Sequence, residues 1–310
     1  MTKNYHLPPD LAGLPTIEAT PWLNIGPGRP FPTVEGACFG RNGELFVGHR
    51  EKPWSDILKI DCDTKECSVF YHDDNASLIG IACHRDGRVF CADIQGRLVV
   101  LSPDGKFERD LLSQYTDRTY KPNDLAFDNK GNIYFSDFIG TDTSPDGGIY
   151  RFDESENYEI IHLVADGLCT PNAVSFSPNY DILWTSESIR NNVVRIALDE
   201  NGYKHPHFSS QMSVYHNSGF PHCDSNSVDS EGNIYQAVME GGRAIVLDAQ
   251  GIPTANILLT DREDGARMRT PNIAIRPNAN EGYLLAAGIG GAWVYKFASL
   301  APSAPLYANM

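Results

Sequence analysis

The sequence predicts an all-β fold, a six-bladed β-propeller with four antiparallel strands per blade, closed into a ring by an N-terminal strand. Three observations lead there: a hairpin phrase that recurs along the chain, short β-rich runs between its copies, and the lack of any long stretch with helical apolar periodicity. The phrase begins at Ala37 (ACFGRNGELFVGH), Ile81 (IACHRDGRVFCAD), Leu125 (LAFDNKGNIYFSD), Val174 (VSFSPNYDILWTSE), Asn226 (NSVDSEGNIYQAV) and Ile273 (IAIRPNANEGYLLAAG), at intervals of 44, 44, 49, 52 and 47 residues.

Each copy joins two apolar runs across a turn that carries Gly43, Gly87, Gly131, Gly232 or, in looser form, Asn179 and Gly282. Glycine and asparagine supply the positive φ of a tight hairpin turn. A third strand follows in DILKID, LVVLSP, GIYRFD, NVVRIAL, RAIVLD and AWVYKF, and a fourth in segments such as CSVFYHD and YEIIHLV. Repeats of this length, with four strands apiece, bury their faces only by stacking around an axis. The last repeat ends after its third strand, and TIEATPWLNI, residues 16 to 25, has no blade of its own. The expectation is a single domain over residues 1–310, with blades starting near 35, 79, 123, 172, 224 and 271 and residues 16–25 closing blade six, which removes an open sheet edge.

Composition narrows the function. Of 310 residues, 40 are acidic and 25 basic, a net charge of -15 that repels phosphate backbones and anionic membrane surfaces. Neither nucleic acid nor a membrane is an expected partner. The N-terminal MTKNYHLPPDLAGLP has no apolar signal region, which points to a cytoplasmic protein. The seven cysteines are odd in number and form no CxxC pair, so buried free thiols are expected rather than a disulfide framework or a zinc site. Oligomeric state is not readable.

In a propeller the first strand of every blade lies nearest the axis, so its head faces the channel mouth. Two residues before each repeat stand Glu35, Ile79, Asn123, Asn172, Asp224 and Pro271. Glu35, Asn123, Asn172 and Asp224 thus share one register, and their oxygens, with no sulfur or imidazole among them, suit a hard cation. Ca2+ is the expected cofactor, with Zn2+, Mn2+ and Mg2+ as alternatives.

At these residues the chain resembles the SMP-30/gluconolactonase/luciferin-regenerating family over nearly its whole length. VEGACF is similar to the family's EGP-type opening, KPNDLAFDNKGNIYFSD to its RPND stretch, TPNAVSFSPNYDILWTSES to its PNG segment and HCDSNSVDSEGNIYQAV to its PDG segment. The wording is nearest to that of the drug-responsive bacterial lactonases, through Gly147 to Tyr150, Gly242 to Pro253 and the serine after the metal-binding aspartate. The resemblance implies a calcium-dependent hydrolase that opens a lactone ring. It matches Glu35, Asn123, Asn172 and Asp224 to the metal ligands and Asp224 to the acid/base residue, and makes Ser225 a further metal ligand. Ala37, Ala173, Ser225 and Cys223 depart from the family's usual residues and bear on substrate preference. Some lactonases of that subgroup carry a second calcium site; here Asp117 stands as a remnant with little else in register, and the sequence leaves that site open.

Lactone hydrolysis needs a polarised carbonyl, a deprotonated water and a stabilised oxyanion. The expected division of labour gives the first and third to the cation and the second to Asp224 as general base. His222, Tyr120 and Phe138 are the candidate substrate contacts, and the long 138–148 segment (FIGTDTSPDGG) is a candidate cover for the mouth. The same metal set would also serve a phosphotriester or fluorophosphate hydrolase, and a calcium-binding propeller without turnover is the reading from outside enzymology.

Overall fold

A computed structural model describes residues 7–26 and 33–310. The start of the N-terminal stretch read above, residues 1–6, lies outside them. The chain is all-β apart from short 3-10 turns. In chain order the strands are β1 (Thr16–Asn24), then β2 (Thr33–Phe39), β3 (Leu45–Glu51), β4 (Trp54–Ile60) and β5 (Cys67–Asp73), then β6 (Leu78–Cys83), β7 (Val89–Asp93), β8 (Arg97–Leu101) and β9 (Phe107–Asp110). They continue with β10 (Pro122–Phe127), β11 (Ile133–Asp137), β12 (Gly147–Phe152) and β13 (Ile161–Leu168), and with β14 (Ser175–Phe176), β15 (Ile182–Glu187), β16 (Asn192–Ala197) and β17 (Gln211–His216). Last come β18 (His222–Val228), β19 (Ile234–Met239), β20 (Arg243–Leu247), β21 (Pro253–Leu259), β22 (Ile273–Ile275), β23 (Gly282–Gly288) and β24 (Gly291–Phe297).

The all-β class holds, but the expectation of six separate four-stranded blades does not. The structure is a propeller-like arrangement of four four-stranded sheets, β2–β5, β6–β9, β10–β13 and β14–β17, and one eight-stranded sheet in the order β18-β19-β20-β21-β1-β24-β23-β22. The cause is β1, which hydrogen-bonds on both edges. Its second half, Thr20 to Asn24, runs antiparallel to β24, while its first half, Thr16 to Ala19, runs parallel to Asn256–Leu259 of β21. A strand expected to finish one blade therefore fuses two sets of strands, and neither keeps a free edge at that seam.

The burial pattern explains why these runs become strands. β6, β7, β11 and β20 are buried at every position, as continuous apolar or small-residue runs must be when both sheet faces are covered. The outer strands β5 and β9 are half-exposed instead. Between sheets the core is dense in aromatic rings. Phe90 of β7 meets Phe127 of β10 edge-on at 5.0 Å, and Phe135 stacks on Phe152 at 6.0 Å. Each such pair contributes about 0.5–1.5 kcal/mol beyond the area it buries. Hairpin turns use the predicted glycines, with φ of 82° at Gly43 and 87° at Gly131, but in the looser repeats the positive φ falls on Tyr180 and Asn278 rather than on Asn179 or Gly282.

The first strand of each set lines one axis. β2 touches β6, β6 touches β10, β10 touches β14, β14 touches β18, β18 touches β22, and β22 touches β2. After β24 the chain crosses the far end of this axis. Ala304 N donates to Val228 O at 2.9 Å, Tyr180 Oη donates to Pro305 O at 2.6 Å, and the Tyr307 hydroxyl reaches Glu154 Oε2 at 2.8 Å. No helix among the described residues is long and apolar enough to cross a membrane.

Candidate active site and metal centre

Every axial strand carries an extra residue at its head. The pairing register slips between Glu35 and Ala37, between Leu78 and Gly80, between Pro122 and Leu125, and between Cys223 and Asn226. The same slip separates the Pro171–Glu187 bridge from the Ser175–Trp184 pair, and the Arg269–Ala287 bridge from the Ile273–Leu284 pair. A bulge frees a residue from the ladder and re-aims its side chain. The bulges coincide with the positions singled out from the repeats, so Glu35, Asn123, Asn172 and Asp224 leave their strands at one level of the axis.

Small residues let these bulges approach one another. At Gly36, φ is +54°, and an added Cβ would lie 2.8 Å from Ile79 O. One at Gly80 would collide with Asn123 O and lie 2.8 Å from Leu125 Cδ2. Serines fasten the backbones of Asn172 and Asp224 to the preceding sheet. Ser136 Oγ on β11 donates to Asn172 O at 2.5 Å, and Ser186 Oγ on β15 donates to Asp224 O at 2.6 Å. Gln236 Nε2 on β19 also donates to Asp224 O, at 2.8 Å.

Glu35, Asn123, Asn172, Asp224 and Ser225 are all buried. Ser225 Oγ lies 3.4 Å from Asn172 Oδ1, and Asn172 Nδ2 donates to Ser188 Oγ at 3.3 Å. The Asn172 amide also hydrogen-bonds the Asp224 carboxylate. Asn123 makes no side-chain hydrogen bond among the described residues. Asp224 is held well above the usual carboxylate range, by burial first and then by the negative charge of Glu35. Burial likewise raises Glu35, against the pull of Arg50 and Arg269, and Arg50 Nη2 donates to Glu35 Oε1 at 3.3 Å.

Sequence reasoning missed Asp124. It follows Asn123 in the same bulge, is buried, and is pushed up to about 7, mainly by burial, with Glu35 adding to the rise. Its carboxylate accepts Leu125 N at 2.9 Å and Val174 N at 3.4 Å and hydrogen-bonds Ser225, so it ties together the strands that carry Asn123, Asn172 and Asp224. A bulge presents two successive residues, and reading both positions at each strand head would have found Asp124. It would also have found Asn272, whose Oδ1 accepts Ala37 N at 3.1 Å. Arg50 left no local signal, since only the β2–β3 register brings it beside Glu35.

The candidate substrate contacts divide. His222 is partly exposed at the head of β18, and Phe138 is partly exposed where its N–H donates to Lys121 O at 2.8 Å. Tyr120 is buried in an aromatic cluster against Tyr150, at 5.2 Å, with the Arg118 guanidinium over its ring at 4.2 Å. It is part of the packed core and does not line the axial cavity. The 138–148 segment is tethered by Arg190, whose Nε donates to Asp142 Oδ1 at 3.1 Å. Asp117 is exposed.

The donor set itself tests whether a cation fits. Glu35, Asp124 and Asp224 are buried carboxylates; Glu35 raises the proton affinity of both aspartates, Asp124 adds to that of Asp224, and among the described residues neither Asp124 nor Asp224 has a salt-bridge partner. Uncompensated buried carboxylates beside amide oxygens match a hard divalent ion such as calcium. A separate group, Asp153, Glu156 and His162, brings its ligand atoms within 4.8 Å of one another. It lies away from the axis and is already engaged, Asp153 with Arg151 and Glu156 with His162 at 2.6 Å.

A family model described as SMP-30/Gluconolactonase/LRE-like region matches residues 50–262. Lactonase drp35 of Staphylococcus haemolyticus is 30% identical over 273 residues, covering 86% of this chain and 82% of its own. Lactonase drp35 of Staphylococcus aureus is 29% identical over 290 residues, covering 91% and 87%. Among solved structures, regucalcin from Agrobacterium tumefaciens, described as a calcium-binding protein, superposes with a TM-score of 0.73 at 15% identity, over 94% of this chain and 99% of that one. That last likeness speaks to the fold.

Proposed function

The chain belongs to the SMP-30/gluconolactonase/LRE-like family, and from that membership we propose that it is a lactone hydrolase dependent on a divalent cation, calcium in the first instance. The observation that carries the reading is the buried oxygen cluster at the bulged strand heads, and the lactonase relatives support it. Glu35, Asn123, Asn172 and Asp224 would hold the ion, with Asp124 and Ser225 beside them. A bound cation supplies Lewis-acid polarisation of the ring carbonyl and charge stabilisation at its oxygen.

The remaining work falls to the chain's own groups. Asp224 takes a proton from water and returns it to the leaving alkoxide, a task suited to a carboxyl that burial holds well above its ordinary proton affinity. Glu35 anchors the cluster, and Arg50 offsets part of its charge. Asn123 and Asn172 contribute neutral oxygens, which leave the site electrophilic. Asp124 fixes the spacing of the three strand heads through its contacts with Leu125, Val174 and Ser225. The substrate is a small lactone entering at the His222 and Phe138 side.

The test is acid release at about pH 7.5 from a panel of aldonolactones, dihydrocoumarin, acyl γ-lactones and one fluorophosphate, with calcium and with chelator. Ring opening of at least one lactone that disappears with chelator and returns with calcium is expected. Calcium-loaded, folded protein that turns over none of the lactones would overturn the reading, and turnover confined to the fluorophosphate would replace it.

A further inference from the structure

All of the cysteines are free, and Cys38, Cys83 and Cys91 gather in one region. Cys38 on β2 packs against the cluster that contains Cys83 of β6 and Cys91 of β7. The backbone explains the meeting. A Cβ at position 36 would lie 3.0 Å from Ile81 Cγ1, so β2 and β6 are in close contact there. Two residues further along each strand, on the same faces, stand Cys38 and Cys83. Below the cluster of ligands the axis holds a chamber of about 110 Å³, and both of these cysteines line it, together with Asp124, Asn226 and the C-terminal Leu306.

The two thiols are not equivalent. Cys38 keeps part of its surface open, whereas Cys83 is buried. Cys83 is hydrogen-bonded to Cys38, and that bond, followed by burial, keeps Cys83 protonated. Cys91 is fully buried and does not reach the chamber. One sulfur is therefore partly open to a small reagent, with a second thiol packed beside it.

We propose that Cys38 and Cys83 are a redox pair that a hydroperoxide entering the axial chamber converts to a disulfide between β2 and β6. The Cys38 sulfur attacks one peroxide oxygen and the O–O bond breaks. The departing oxygen leaves with the Cys38 proton as water or alcohol, and Cys38 becomes a sulfenic acid. The Cys83 sulfur then attacks the Cys38 sulfur, the S–O bond breaks, and the hydroxyl leaves with the Cys83 proton as water. Two thiols lose two electrons, and the hydroperoxide gains them. The product joins the strand that carries Glu35 to its neighbour, and this proposal stands apart from the lactonase reading.

The test treats the full-length protein with hydrogen peroxide until half of the exposed Cys67 is oxidised, which calibrates the dose, and then alkylates and maps the peptides. A cross-linked peptide pair containing Cys38 and Cys83 is expected. In Cys83→Ser, a dimedone adduct on Cys38 should take its place, and in Cys38→Ser neither product should form. Cys38 and Cys83 both still reduced in the calibrated wild-type sample would overturn the proposal, as would a disulfide between any other two cysteines. The wild-type map decides by itself if a serine variant fails to fold.

Discussion

Asp124 is held at about 7 instead of its ordinary 3.8, and burial is the main cause. At about 1.4 kcal/mol per pH unit, that gap corresponds to roughly 4 kcal/mol. Between those two values the unfolded chain has released this proton and the folded chain has kept it. The folded state binds more protons, so stability falls as pH rises. In metal-free protein the contribution is full below about pH 4 and is lost as pH passes about 7. Glu35 and Asp224, raised in the same direction by burial first, steepen the slope, while Arg50 and Arg269 moderate it at Glu35. Asp124→Asn removes one titrating group from the cluster. Urea unfolding in chelator at about pH 5, 6, 7 and 8 should show wild-type stability falling across the series, and because only the part of the window above about pH 5 is sampled, the fall in the variant should be smaller by up to about 3 kcal/mol. Saturating calcium should flatten the wild-type curve, because a ligand that binds only the folded state restores its stability. Equal slopes in wild type and variant, or a wild type that gains stability from pH 5 to 7, would refute the electrostatic account of the cluster.

Gly80→Ala should destabilise by about 1–3 kcal/mol through overpacking, because its Cβ would strike the Asn123 carbonyl and Leu125; an unchanged urea midpoint would mean that β6 and β10 are not in close contact. Tyr307→Ala should cost about 3–5 kcal/mol, since the buried ring packs on His84 at 4.9 Å and Phe127 at 5.5 Å and its hydroxyl binds Glu154. A thermal midpoint equal to that of wild type would show that the C-terminal segment is not seated across the axis. Deleting residues 1–24 should lower stability and cooperativity together, because it removes the strand paired to both β21 and β24, and circular dichroism melts would reveal an indifferent deletion at once.

Much of this arrangement could be read in the residues, for identifiable reasons. The hairpin phrase works as a signal because its glycines answer a local demand for positive φ, and the strand pairs β2–β3, β6–β7 and β10–β11 follow from it directly. The register of Glu35, Asn123, Asn172 and Asp224 was legible because a repeated bulge repeats its residue positions. What could not be read depended on contacts far apart in the chain. Thr16 to Ala19 carry no mark of a parallel partner in β21, so the fused eight-stranded sheet was invisible. The pairing of Arg50 with Glu35 rests on a strand register rather than on a motif. Tyr120, named as a candidate substrate contact, has its ring in a buried aromatic cluster, enclosed by Arg118 and Tyr150, and no local motif announces that enclosure.

The most direct test of Asp224 as the base beside a bound cation is lactone turnover of Asp224→Asn across a calcium titration, with Glu35→Gln measured in parallel and calcium binding followed by calorimetry. Asparagine keeps an oxygen in place but cannot accept the proton, so the account predicts retained calcium binding and turnover reduced on the order of 100- to 10,000-fold even at saturating calcium. Glu35→Gln should instead show weakened calcium affinity and a defect that shrinks as calcium is raised. Full recovery of Asp224→Asn by excess calcium would contradict the account, leaving the aspartate a ligand and His222 the next base to test.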